Sequence, residues 1–210
     1  MKTPPFTPTP PYTTADLISL LAFLRSPEGC PWDGEQTHAS IRQNLIEEAY
    51  EVAEAIDNGD RAALCEELGD LLLQIVFHGD IAGLSMDEIA HGVTEKLVSR
   101  HPHLFADTKA DTSAEVLDNW ERIKREEKAH HTLADELAGI ARSLPGLMRA
   151  QKMCKKLAKA GVSPSASSSS TSAENSLVDE LWELCHRATA QGIDLERELC
   201  FRCDREMENK

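Results

Sequence analysis

Aromatic side chains are scarce in this sequence. Phe, Trp and Tyr together make up 5% of its 210 residues, and runs that alternate apolar with polar residues are few, so strands find little support. Positive charge is also in short supply. Twenty-two Lys and Arg stand against 36 Asp and Glu, a net charge of -14. A nucleic acid is therefore not the default partner, because its phosphates would be repelled. A small anionic substrate is not excluded, since bound metal ions reverse the local sign. Six cysteines are present, but they make no spaced disulfide framework, and the chain opens on no signal-peptide pattern; a reducing cytoplasm is expected. Cys200 and Cys203 have CxxC spacing without the second pair or nearby histidine that a zinc site needs. No apolar run approaches the ~20 residues that span a bilayer. What is present is a chain 41% hydrophobic and 28% charged, enough for a real core and of a length for one or two small domains.

Helical signals fill most of the chain. Five prolines before Thr13 read as a tail. Thr13 and Asp16 then mark a helix start, with Leu17, Leu20, Leu21 and Leu24 on one face and a stop near Ser26-Pro27. The stretch PEGCPWDGEQTHAS is too rich in Gly and Pro to begin as helix, and its Trp32 reads as a lid over the core. A second helix is expected over 41–57, with Leu45, Ala49, Val52, Ala53 and Ile56 as its apolar stripe and Asn58-Gly59 as its stop. A third starts at Asp60 and runs toward Ala82, with Gly83 as its stop; Gly69 within it would allow close helix approach. Ser85 and Glu88 have capping-box spacing for a fourth, ending near Arg100 before His101-Pro102. After the loop HPHLFADTKADTS, further helices are expected over 114–128, 145–160, 175–191 and 194–208, with the serine-rich run SPSASSSSTS at 163–172 as a linker.

The end of the chain repeats its centre. A shift of 109 positions lays Leu68 on Leu177, Asp70 on Asp179, Ile75 on Leu184, Gly83 on Gly192, Leu84 on Ile193 and Lys96 on Arg205. Glu67, however, falls on Ser176, and the preceding acidic helix has no counterpart. The second copy reads as eroded: structural or dimer-forming, and not a second active site.

Four carboxylates carry the chemistry. Glu48 with Glu51, and Glu67 with Asp70, are pairs three apart on consecutive antiparallel helices. At 5–6 Å two such charges repel by roughly 3 kcal/mol at an effective dielectric near 20. Four facing one another must splay, take up protons or bind cations. All-oxygen ligands suit Mg²⁺, with Mn²⁺ as an alternative, and Mg²⁺ is usually shared with substrate phosphates. Lys96, Arg100 and Lys124 are the candidates to hold those phosphates. A single such acidic pair would read as a solvated face; two on consecutive helices followed by basic pairs favour a site. A di-iron bundle would need Glu-x-x-His pairs on two helices; Glu35/His38 and Glu88/His91 have that spacing but are out of register with the carboxylates.

The runs CPWDGEQTHAS, NLIEEAYEVAEAI, ELGDLLLQIVFH, KLVSRHPHLF and NWERIKREEK, in this order, resemble MazG-type nucleoside triphosphate pyrophosphohydrolases over 15–128, with weaker likeness through SLPGLMRAQK. The resemblance implies an all-α fold assembled as a homodimer. It implies Mg²⁺-dependent cleavage between the α and β phosphates of a nucleoside triphosphate, giving a nucleoside monophosphate and pyrophosphate. It implies Glu48, Glu51, Glu67 and Asp70 as metal ligands, Lys96, Arg100 and Lys124 as phosphate-binding residues, and Trp120 near the nucleotide. Glu47, or an unbound carboxylate oxygen, would orient the water. Larger members carry two such domains, and this chain departs from them in its shortened second copy. The expected organisation is a tail (1–13), a MazG-type catalytic domain (14–130), connecting helices (131–162), a linker (163–173) and a degenerate second repeat (174–210). The expected function is housecleaning of the nucleotide pool in the cytoplasm, without nucleic acid or membrane partners. A catalytically weak nucleotide-binding or regulatory protein of the same fold is the alternative.

Overall fold

The computed structural model describes residues 9–129, 131–162 and 173–208. Among these, every regular element is a helix: α1 (Thr14–Leu24), α2 (Pro31–Glu35), α3 (Arg42–Asn58), α4 (Arg61–Ala82), α5 (Met86–Ser99), α6 (Pro102–Phe105), α7 (Ser113–Glu127), α8 (Leu133–Ala138), α9 (Gly146–Lys159), α10 (Ala173–Ala190) and α11 (Leu195–Glu208). The fold is all-α. The serine-rich run and most of the proline-rich tail lie outside the described residues.

Local side-chain chemistry sets most helix boundaries. Thr13 and Asp16 form a capping box, as do Thr112 and Glu115, and the Asp60 carboxylate accepts from the Ala62 and Ala63 amides. Glu88 accepts from the Ser85 amide at 2.8 Å at the start of α5. Gly59 and Gly83 both stop their helices at φ +67°, a left-handed conformation that favours glycine.

Two short helices, α2 and α6, were not expected, and α8 falls within the connecting helices expected over 131–162. Residues 31–35 and 102–105 each open on a proline at the first helical position, where its missing N–H costs no hydrogen bond. Thr132 and Asp135 cap α8 in the same way as the longer helices. Trp32 is corrected too: it is 62% exposed and covers nothing in the core. On α3, Ala49, Ala53 and Ile56 are exposed while Ala55 is buried, because the helix packs chiefly along α4 and only a narrow band is covered. A Cβ added at Gly69 would meet nothing within 4 Å among the described residues, so no close approach within the chain depends on it.

The chain divides into two compact units, 1–98 and 99–210. In the first, α3 and α4 lie along each other, and α1 closes on α4. Leu21, Ile41, Val76 and Phe77 form the core, with Leu17, Ile18, Leu72 and Leu73 packed around it. Arg25 ties three helices together: Nε donates to Asp80 at 2.5 Å, Nη1 donates to the Asp33 carbonyl at 2.6 Å, and the guanidinium lies 5.1 Å from the Phe77 ring centre.

In the second unit α9 is central and packs on α8, α10 and α11. Cys154 on α9 and Cys185 on α10 are fully buried free thiols; burial, then Cys185, push the Cys154 thiol up to about 11. Buried Gln151 spans the α10–α11 turn. Its Nε2 donates to the Ile193 carbonyl at 2.7 Å and its Oε1 accepts from the Leu195 amide at 2.9 Å. The helix stop of α4 recurs 109 positions later. The Leu84 amide donates to the Gly79 carbonyl at 2.9 Å, and the Ile193 amide donates to the Ala188 carbonyl at 2.9 Å. Gly192 takes φ +72°, and α5 and α11 have equal lengths.

Candidate metal centre on α3 and α4

The α3–α4 hairpin brings its acidic residues face to face. One carboxylate oxygen from each of Glu48, Glu67 and Asp70 lies within 4.8 Å of the others. Helical periodicity explains the convergence: residues three apart share a face, and the Gly59 turn folds that face of α3 onto α4. Glu48 and Glu67 are half-buried, whereas Asp70 is exposed. Glu51 also belongs to the group electrostatically. The Glu48 carboxyl is raised above the ordinary range first by burial, then by its hydrogen bond with Glu51, and then by the charges of Glu51, Asp70 and Glu67. Glu67 is raised by burial and by the charges of Glu51, Glu66, Asp70 and Glu54. Among the described residues no Lys or Arg forms an ion pair with any of the four. A mutually repelling oxygen set, two of its three members half-buried and none paired with a cation among the described residues, fits a hard divalent ion.

Glu47 lies beside this group but outside it, with one oxygen accepting from Gln43 Nε2 at 3.4 Å. The di-iron alternative loses both its pairs. The Glu88 carboxylate is committed to the Ser85 cap, which holds it below its ordinary range. His38 Nδ1 faces His78 Nδ1 at 2.8 Å, with the two rings stacked 5.1 Å apart.

The basic candidates divide between the units. Lys96 is exposed on α5 in the first. Arg100, Trp120 and Lys124 are in the second, where they form one cluster. Arg100 is 8% exposed, donates through Nε and Nη2 to Glu127 Oε2 at 2.9 and 2.6 Å, and holds its guanidinium 5.2 Å from the Trp120 ring centre. His101 meets the same ring edge-on at 5.2 Å. Lys124 sits one turn beyond Trp120. Burial depresses its ammonium, and Lys128, Arg100, Lys156 and Lys152 depress it further.

Sequence reasoning missed Glu127, the His38–His78 pair and the basic surroundings of Lys124. The first two join residues 27 and 40 apart, which only tertiary packing reveals. The third had a signal: Lys152, Lys156 and Lys159 recur at helical spacing.

Comparison with known proteins follows the same residues. The family profile described as "MazG nucleotide pyrophosphohydrolase domain" matches residues 36–105, a span that holds all four carboxylates, Lys96 and Arg100. The chain is 47% identical over 150 residues to the nucleoside triphosphate pyrophosphohydrolase of Escherichia coli K12, covering 69% of this chain and 57% of that protein. It is 39% identical over 150 residues to the nucleoside triphosphate pyrophosphohydrolase/pyrophosphatase MazG of Thermotoga maritima, covering 70% and 57%. An uncharacterized 26.1 kDa protein of Streptomyces cacaoi matches at 38% over 190 residues, covering 88% and 75%. The match thus spans little more than half the length of the two named relatives.

Proposed function

The chain belongs to the MazG nucleotide pyrophosphohydrolase family, and from this we propose that it hydrolyses nucleoside triphosphates to nucleoside monophosphates and pyrophosphate in the cytoplasmic nucleotide pool. The observation that carries the reading is the convergence of Glu48, Glu67 and Asp70, unpaired and within 4.8 Å of one another. Together with Glu51 they would hold Mg²⁺ or Mn²⁺. When bound, such an ion offsets the charge of the phosphates and lowers the pKa of an attacking water.

The chain's own groups do the rest. Glu47 or a free carboxylate oxygen accepts the proton of a water aimed at the α phosphorus. The water oxygen bonds to that phosphorus while the bond to the α–β bridging oxygen breaks, and pyrophosphate leaves. Lys96 and Lys124 hold phosphate oxygens. Arg100, already paired with Glu127, braces the Trp120 ring, which packs near the nucleotide.

The functional molecule is a homodimer in this reading. Tyr50, Ile56, Leu68, Ile75, Val93 and Leu97 on α3, α4 and α5 are each at least 38% exposed, an apolar load that a second copy would cover. The helices after residue 173 serve as the degenerate second repeat. The net charge of -14 disfavours nucleic acid as substrate.

The test is a panel of nucleoside triphosphates assayed with Mg²⁺ for both pyrophosphate and orthophosphate. Pyrophosphate should appear first, and orthophosphate as first product would overturn the α–β cleavage. Glu48→Ala with Glu67→Ala should lower the rate at least ~100-fold, since even outer partners of metal ligands cost about 10–100-fold. Full activity in that double variant would sink the site assignment.

A further inference from the structure

The second unit contains a cleft of about 1100 Å³ between α7, α8 and α9 whose charge runs against that of the molecule. Eight Lys and Arg line it against three carboxylates, although the whole chain has only 22 basic residues against 36 acidic ones. Some of these cations are internally satisfied. Glu136 takes Lys156 at 2.8 Å and Arg125 at 3.8 Å, and Glu121 takes Lys159. Among the described residues Lys124 enters no ion pair, but it is already assigned to the substrate phosphates; three more, Lys128, Lys152 and Lys155, are left without one.

The arrangement concentrates like charge. Lys124 lies in the last turn of α7 and Lys128 caps its C-terminus, four residues on. Lys152 and Lys156 on α9 lie close enough to disfavour the charge on Lys124. Clustered, uncompensated ammonium groups raise the free energy of the folded state unless an anion sits among them. The cleft floor has the opposite character, with Ile140 buried and Leu133 and Leu144 half-buried. Its volume is that of a small-ligand site. A long polyanion such as duplex DNA would meet the acidic remainder of the molecule beyond the cleft.

We propose that this cleft is a second, metal-independent site, which binds a small ligand carrying a chain of phosphates, with Lys128, Lys152 and Lys155 as its contacts. It lies outside the residues matched by the family profile and needs none of the four carboxylates. Its occupant is a nucleoside polyphosphate or an inorganic polyphosphate, which share the same recognition chemistry. A site of this kind would let the level of a polyphosphate act on the second unit.

The experiment is calorimetric titration of the full chain with inorganic tripolyphosphate in EDTA, which removes any metal-dependent binding. Binding should persist in EDTA and in Glu48→Ala/Glu67→Ala. It should weaken about tenfold or more in Lys152→Gln/Lys155→Gln, as charge-assisted contacts are lost, and recover in Lys152→Arg/Lys155→Arg. All four of the substituted side chains are exposed or half-buried, and unchanged circular dichroism in each variant checks the fold. A non-hydrolysable nucleoside triphosphate analogue separates the two sources: tighter binding than tripolyphosphate assigns a nucleotide, equal or weaker binding an inorganic chain, and both uphold the site. No binding in EDTA, binding lost with the carboxylates, or binding indifferent to the lysines would overturn the proposal. Tighter binding of a DNA duplex than of tripolyphosphate would overturn it as well. Turnover with Mg²⁺ is measured separately, so the catalytic reading stands or falls on its own.

Discussion

Glu67 and His78 respond to pH in opposite senses, for one physical reason: each is partly removed from water beside groups of its own kind. The Glu67 carboxyl is raised, so the metal-free fold binds its proton more tightly than the unfolded chain does. That contribution is present below the ordinary glutamate value of 4.5 and is lost as pH rises through the folded value. Glu67→Gln should therefore raise the melting temperature in EDTA at neutral pH by a few degrees and, if the proposed site holds Mg²⁺, abolish the further rise that added Mg²⁺ is expected to give the parent protein. A lower melting temperature in EDTA would show that its charge is not repelled. His78 is depressed, first by burial and then by His38. Its contribution is present above the ordinary 6.5 and is lost as pH falls from there through the folded value. By NMR its midpoint should lie below 6.5, and His38→Ala should move it upward without restoring 6.5, because burial is the larger cause. A midpoint above 6.5 would contradict the stacked geometry.

At the scale of elements, the uncovered apolar surface of α3, α4 and α5 makes the sharpest demand. Ile56 is 58% exposed and Val93 49%, yet neither has a partner surface in its own unit large enough to hide it. On the proposed homodimer, light scattering should find a dimer for the parent chain and monomers for Ile56→Glu with Val93→Glu, with helix content intact because both side chains are exposed. Persistence of the dimer would move the interface elsewhere. Helices were largely legible in advance because their boundaries are local: Thr13 with Asp16, Asp60 with its own first turn, and Ser85 with Glu88 all act within four residues. The carboxylate pairs were legible for the same reason. Their convergence needed only the Gly59 turn besides. What escaped was set by contact across sequence. Nothing local to Arg100 announces that Glu127 and Trp120 lie around it. The apolar stripe assigned to α3 included Ala49 and Ala53, which periodicity alone cannot tell from covered positions. The proline-headed helices α2 and α6 were hidden because they are only five and four residues long, too short for a helical period to show.

Over the whole molecule, two clusters of like charge stand out among the described residues: the converging carboxylates of α3 and α4 in one unit, and the lysines of the cleft in the other. The sequence total of -14 conceals this partition. Only the folded chain shows that a third of its basic residues line one cleft, since α7 and α9 are separated in sequence by the short α8.

The hold of Gln151 on the α10–α11 turn has a consequence for connectivity. Its amide takes one acceptor and one donor from that turn, while the Met148 amide donates to Glu196 at 3.3 Å and Cys154 is sealed in the same unit as Cys185. The last two helices are thus held to α9 by contacts that do not run through the peptide bonds of residues 163–172. A protease cut placed within that run should leave two fragments that co-elute as one particle under native conditions and separate only in denaturant. Gln151→Ala should loosen the nicked particle far more than the intact chain, because in the intact chain the covalent tether keeps the released turn at high effective concentration. Fragments that part as soon as the chain is cut would mean that the tether, and not α9, keeps the tail in place.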